Sequence, residues 1–244
     1  MRFLRARQQA GHRLKQEGGS KVFAIALDGP AGAGKSTIAK MAATRLGMHY
    51  VDTGAMYRTL AYDMLRHHVD IHQENAVACA LEQIQMKIIY DENVQRMFLG
   101  EEEVTDQIRT PEVGEATSTI AVYRAVRDKL LTVQRDLAQK YEVIMDGRDI
   151  GTTILPDAPL KVFLTADAAE RGKRRFLELE EKEPGMHTLE ETIRAIKERD
   201  ERDMNREIAP LRQAADAVVL DTTYMTAQQA ADALVQMAQE ARSR

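Results

Sequence analysis

Apolar residues in this chain fall into short unbroken runs, separated by longer segments where they recur every three or four positions. The first run, Val22-Phe23-Ala24-Ile25-Ala26-Leu27, has turn residues behind it. Such a run predicts a strand buried on both faces, as in a parallel sheet. Runs at 142–146, 160–164 and 217–221 repeat the pattern, and 49–52 is a shorter strand. Helical periodicity covers 36–45, 54–67, 125–140, 167–181, 189–206 and 226–241. Strand and helix in alternation predict a doubly wound α/β fold, a parallel sheet joined by right-handed crossovers.

Two stretches break that rhythm. From 84 to 105, the segments 86–90 and 95–100 look like short antiparallel strands that follow a helix instead of feeding one, which predicts a small inserted subdomain. From 170 to 206 the chain is highly charged and arginine-rich, and Pro184-Gly185 interrupts it, so a helix–loop–helix flap is expected there.

Ahead of the first strand, Arg2, Arg5, Arg7, Arg13 and Lys15 stand against Glu17 without an apolar core, so 1–20 is not a secretory signal. An arginine-rich, acid-poor start also fits an organellar transit peptide. The preferred reading is a flexible extension ending at Gly18-Gly19-Ser20, with 21–244 as a single domain.

Between the first strand and the first helix lies Gly29-Pro30-Ala31-Gly32-Ala33-Gly34-Lys35-Ser36, which fits G-x-x-x-x-G-K-[ST]. Three glycines let the backbone wrap closely enough for its N–H groups to point at phosphate oxygens. The helix that follows, with Thr37 in its first turn, adds its positive end. Lys35 is then expected to bridge the β- and γ-phosphates of ATP, and the Ser36 hydroxyl to ligate Mg²⁺. A dinucleotide-binding loop is disfavoured because no third glycine follows Gly34 at the required place. The Asn/Thr-Lys-x-Asp guanine reader of GTPases is missing from the sequence, which favours a kinase.

The 244 residues carry a formal net charge of −4, so no general basic field is available for duplex nucleic acid. No stretch approaches the roughly 20 apolar residues of a membrane span. The single cysteine, Cys79, cannot form an internal disulfide and fits a reducing, cytoplasmic setting; its run, Ala76-Val77-Ala78-Cys79-Ala80-Leu81, reads as core packing. His68 and His72 have metal-pair spacing but sit at a helix end and in a loop, with no third ligand apparent.

In a doubly wound sheet, residues just past the strands' carboxyl ends line the same crevice as the phosphate loop. Thr53, Tyr57 and Arg58 follow the second strand, and Arg148 and Asp149 follow the strand at 142–146, so they are expected to converge on one ligand. The glycine-rich loop, Asp52-Thr53-Gly54-Ala55-Met56-Tyr57-Arg58, Asp146-Gly147-Arg148-Asp149 and Glu198-Arg199-Asp200-Glu201-Arg202-Asp203 occur in that order. Together they resemble the bacterial cytidylate kinases, from about Val22 to the C-terminus.

That resemblance implies a phosphotransferase acting on ATP and CMP or dCMP, with an acceptor-binding insert over about 54–125 and a lid over about 170–190. Asp149 would accept a hydrogen bond from cytosine N4, while Arg127 donates to the ring acceptors and Ser118 adds a smaller polar contact. Arg58 and Arg148 would clamp the acceptor phosphate, since planar guanidinium suits that geometry. Arg109 either joins them or is structural. At about 100° per residue, Arg199, Asp203 and Arg206 share one helical face. From spacing alone an exposed ion-pair helix explains them equally well. The resemblance implies ribose contacts from Arg199 and Asp203, and charge neutralisation at the moving phosphoryl group from Arg206, alongside Lys35 and Arg148. Arg171, Arg174 and Arg175, on the flap's first helix, would close over ATP. A monomer is the default.

Two rivals stay open. One is a kinase for another small acceptor such as UMP, AMP or shikimate. The other is a nucleotide-dependent switch or RNA-binding module, against which the negative charge and the lack of interleaved aromatics argue.

Overall fold

The computed structural model describes residues 22–91, 94–182 and 184–244; the extension expected over 1–20 lies outside the described residues. Five parallel strands form the central sheet: β1 (Ala24–Asp28), β2 (His49–Asp52), β6 (Val143–Gly147), β7 (Leu160–Thr165) and β8 (Val218–Asp221), in the order β2-β6-β1-β7-β8. All five residues of β1 are buried, as an apolar strand flanked on both sides requires. Its side chains alternate between two cores, Ala24 and Ala26 on one face, Ile25 and Leu27 on the other. The chain winds away from β1 in opposite directions, so a crevice opens at the strands' carboxyl ends beside it.

On the Ile25 face lie α1 (Lys35–Leu46) and α8 (Ala227–Arg242), packed together through small residues such as Ala39, Ala42, Ala230 and Ala231. On the other face lie α2 (Thr53–Arg66), α4 (Pro111–Ile120) and α5 (Arg124–Lys140). The insert contains α3 (Glu74–Gln83) and a three-stranded antiparallel sheet, β3 (Met86–Asp91), β4 (Val94–Leu99) and β5 (Glu102–Glu103). Among the described residues it has no separate core: Met97, Val104 and Ile108 join the same apolar cluster as Val51, Val143 and Met145 of the main sheet. The flap consists of α6 (Ala168–Lys182) and α7 (Leu189–Asn205), the second opened by a Thr188–Glu191 capping box. These helices touch closely, since a Cβ on Gly172 would stand 2.3 Å from Ile193 Cγ1.

Cys79 is exposed, not packed. In α3 the buried positions are Val77 and Leu81, four residues apart; Cys79, two residues from each, faces the opposite side of the helix.

Candidate active site

The glycine-rich loop at 29–36 is shaped by backbone conformations that favour glycine. Gly29, Gly32 and Gly34 have φ of 152°, 70° and 85°, and a Cβ on Gly29 would lie 2.0 Å from the Leu164 carbonyl oxygen. No side chain caps α1, and its first turn holds no acidic residue, so its leading amides are free to meet an anion. Lys35 Nζ donates to the carbonyls of Gly29 (2.8 Å) and Pro30 (2.7 Å), which curls its chain along the loop. Burial, then the charge of Arg148, holds its pKa well below the usual lysine value. Ser36 Oγ donates to Asp146 Oδ2 at 3.0 Å.

The loop is tied to the flap. Ala31 N–H donates to Asp200 Oδ1 (3.0 Å), the Ala31 carbonyl accepts from Arg171 Nη1 (2.8 Å), and Arg171 pairs with Asp200. Arg171 is buried and also donates to the Ala166 carbonyl, 2.9 Å away. It is therefore a strut beneath the loop, which corrects its expected place on a closing face. Arg174 donates to the carbonyls of Thr222 (2.6 Å) and Thr223 (3.3 Å), just beyond β8. Arg175 pairs with Glu178 on an exposed surface. The three flap arginines thus face three different surroundings.

Across the crevice, Asp52 gathers two arginines. It caps α2 by accepting from Ala55 N–H (2.8 Å), and it accepts from Arg58 (3.0 and 3.3 Å) and Arg109 (3.1 Å). Arg58 and Arg109 oppose the desolvation of this buried carboxylate and hold its pKa below the ordinary value. Gln95, reaching from β4, pairs with the Asp52 backbone through both amide atoms, at 2.8 and 3.2 Å. The Thr53 hydroxyl donates to the Asp146 carbonyl (2.7 Å). Asp146 also accepts from Tyr50 OH at 3.2 Å. Burial and the nearby Asp52 push its pKa up to about 6.

A second cluster surrounds Asp149. Its carboxylate accepts from Arg127 and, at 3.1 Å, from Arg206. Tyr57 lies within the field of the same three charges, and burial pushes its phenol up to about 12. Arg148 Nε donates to Asp203 Oδ2 at 2.8 Å. Arg199 is brought down to about 10, first by burial and then by Arg148. Arg206 does not continue the arginine face of α7: that helix stops at Asn205, and Arg206 has extended backbone, ψ 140°. Its side chain reaches Asp149 from beyond the helix end. Ser118 donates within its own helix α4, to the Gly114 carbonyl (3.3 Å).

Five further polar residues complete the site and were not singled out from sequence: Asp28, Asp52, Asp146, Gln95 and Asp200. Position at a buried strand's carboxyl end is the signal for the first three. Gln95 and Asp200 meet their partners only through tertiary packing, and no local pattern marks them.

A glycine-lined phosphate loop at the head of a helix, facing convergent arginines across a parallel sheet, defines a P-loop phosphotransferase of the doubly wound α/β class. The family model for cytidylate kinase matches residues 25–240. The chain is 48% identical over 208 residues to a cytidylate kinase of Caldicellulosiruptor saccharolyticus, covering 84% of this chain and 91% of that one. It is 47% identical over 224 residues to one from an Exiguobacterium species, covering 91% and 99%, and 44% identical over 214 residues to one from Lactobacillus gasseri, covering 87% and 92%. The chain belongs to the cytidylate kinase family. Among solved structures, the shikimate kinase of Acinetobacter baumannii in complex with shikimate aligns over 91% of this chain and 96% of that one, with TM-score 0.43 and 16% identity.

Proposed function

We propose that this protein transfers the γ-phosphoryl group of ATP to CMP or dCMP, giving ADP and CDP or dCDP. The observation that carries the reading is the Asp149 carboxylate, held between Arg127 and Arg206 at the carboxyl end of the strand beside β1. A carboxylate offers about four lone-pair sites, and two arginines use two of them. A cytosine N4 amino group supplies the donor that a free site requires, whereas uracil presents an acceptor there. Discrimination of this type reaches ~10⁴ in favourable cases, because the wrong base leaves buried polar groups unpaired.

On the acceptor side, Arg58, Arg109 and Arg148 hold the CMP phosphate, Arg199 and Asp203 hold the ribose, and Thr53, Tyr57 and Ser118 complete the walls. On the donor side, the amides of 29–37 cradle the ATP phosphates. The curled Lys35 extends to the β- and γ-phosphates, where negative charge restores its proton affinity. Arg148 and Arg206 spread the charge of the transferring group. The acceptor oxygen is already anionic, so no general base is needed, and positioning with charge stabilisation does most of the work. The insert, 54–125, supplies Tyr57, Arg58, Arg109 and Ser118 to the acceptor side. The flap, 170–190, excludes water through Arg174 and Arg175, while Arg171 holds the loop.

The residues present fit Mg²⁺: a hydroxyl and a buried carboxylate with raised proton affinity, Ser36 and Asp146, stand 3.0 Å apart beside the loop. When bound, the ion would neutralise charge on the donor phosphates.

The same reading has the enzyme work as a cytoplasmic monomer, in a reducing setting that keeps the exposed Cys79 as a thiol. Among the described residues, no helix is long and apolar enough to cross a membrane. A coupled assay offering CMP, dCMP, UMP, AMP and GMP with ATP·Mg²⁺ tests the acceptor. CMP and dCMP should lead by orders of magnitude; equal turnover of UMP would overturn the base-reading assignment.

A further inference from the structure

Asp149 occupies the N-cap position of a single π-helical turn, Ile150–Ile154, yet its side chain caps nothing in that turn. Aspartate at an N-cap ordinarily bends back to accept from the helix's own leading amides. Here the first two of those amides are already taken. The Ile150 and Gly151 N–H groups donate to Oδ1 and Oδ2 of Asp28, each at 2.7 Å. Asp28 is the last residue of β1, immediately before Gly29 of the donor loop, and is distant in sequence from the turn it caps. The borrowed cap fits tightly, since a Cβ on Gly151 would lie 3.3 Å from Asp28 Oδ2 and 3.2 Å from Lys161 Cδ.

We propose that Asp28 is a positioning residue for base selection: by capping this turn in place of Asp149, it leaves the Asp149 carboxylate free for Arg127, Arg206 and the acceptor base. Asp28 is buried, and both of its carboxylate oxygens are engaged by the turn's amides. It acts through the backbone of the turn. It also joins the two halves of the reaction, because the residue that ends the donor strand sets the attitude of the acceptor reader. The inference rests on Asp149 reading cytosine.

The test compares kcat/KM for CMP and UMP, and KM for ATP, in wild type, Asp28→Asn, Gly151→Ala and Asp149→Ala, with thermal unfolding recorded for each. Asn presents one acceptor and one donor, so one turn amide loses its partner and Asp149 is drawn back to cap it. Asp28→Asn should raise KM for CMP and reduce CMP-over-UMP selectivity by about tenfold or more, with KM for ATP within about twofold. Gly151→Ala, which keeps the charge but crowds the carboxylate, should erode selectivity in the same direction by less. If Asp28→Asn fails to fold, Gly151→Ala decides alone. Selectivity retained in the folded variants, even with slower turnover of both bases, would mean Asp28 is merely structural and would overturn the inference. Selectivity lost in Asp149→Ala but kept in Asp28→Asn overturns only the inference. Selectivity kept in Asp149→Ala overturns the base-reading assignment and the inference with it.

Discussion

The glycine-rich loop, proposed to hold the donor, and the arginine–carboxylate pocket, proposed to hold the acceptor, face each other across one crevice but are built in opposite ways. The loop is a contiguous stretch whose shape comes from backbone, with three glycines at positive φ and α1 left uncapped. The pocket is assembled from α2, the 3₁₀ turn Gln107–Arg109, α5, the end of β6, α7 and the residue beyond it, with arginines paired to buried or half-buried carboxylates. A backbone cradle binds any phosphate chain and carries little selectivity. A set of fixed charges distinguishes one acceptor from another but depends on every element that delivers a charge. Removing a donor-loop group should therefore damage all transfers alike, whereas damage on the acceptor side should depend on the acceptor.

The largest effect is expected from Lys35→Ala, which should lower kcat by about 10³ or more with every acceptor. A loss confined to CMP, measured in the same coupled assay, would break the contrast between the two sides. Next comes Asp52→Asn. Freed from their shared carboxylate, Arg58 and Arg109 lose their fixed geometry, and KM for CMP should rise roughly tenfold or more while KM for ATP changes little.

Arg171→Met should act on the other side. It leaves the buried Asp200 without its ion-pair partner, a loss of about 3–5 kcal/mol in unfolding experiments, and KM for ATP should rise several-fold as Ala31 loses one of its two tethers. If Arg171 served only to close over ATP, stability would stay at the wild-type level.

The smallest effect concerns pH. Burial, opposed by the Ile150 and Gly151 amides and the charge of Lys35 and reinforced by Asp149, pushes the Asp28 carboxyl up to about 6. A carboxyl raised in the folded state contributes stability that is complete below its unfolded value near 4 and is lost as pH rises through about 6. Acidifying from pH 7.5 to 5.5 should thus stabilise wild type relative to Asp28→Asn. Over the same range the charged cap is lost and KM for CMP should rise about two- to threefold. Parallel melting curves and KM profiles check both signs; a wild type that loses stability relative to Asp28→Asn on acidification contradicts them.

This contrast also explains what could be read from the chain. Buried runs such as Ala24–Asp28 and Leu160–Thr165 were legible because a strand covered on both faces is mostly apolar, with only Lys161 breaking the second run before its end. The loop was legible because its chemistry is contiguous. Thr53, Arg58, Arg148 and Asp149 were reachable through their place at strand ends, and Arg199 and Asp203 through helical spacing with the family resemblance. Besides Gln95 and Asp200, three features were not legible. Arg206 departs from the helical wheel because α7 stops one residue earlier. Arg171 turns inward because Asp200, on the neighbouring helix, and the Ala31 carbonyl together offer a better-paired site than solvent. Cys79 faces out because an apolar run of small residues in a helix has two faces and only Val77 and Leu81 reach the core. Each depends on a partner distant in sequence or on one residue of helix phase.

The claim at the centre of this account is that the Asp149 carboxylate reads cytosine, and kcat/KM for CMP in Asp149→Ala, at saturating ATP·Mg²⁺, measures it most directly. A fall of about 10³-fold or more, with KM for ATP within about twofold of wild type, is the expected result. CMP kinetics left intact by that substitution would contradict it.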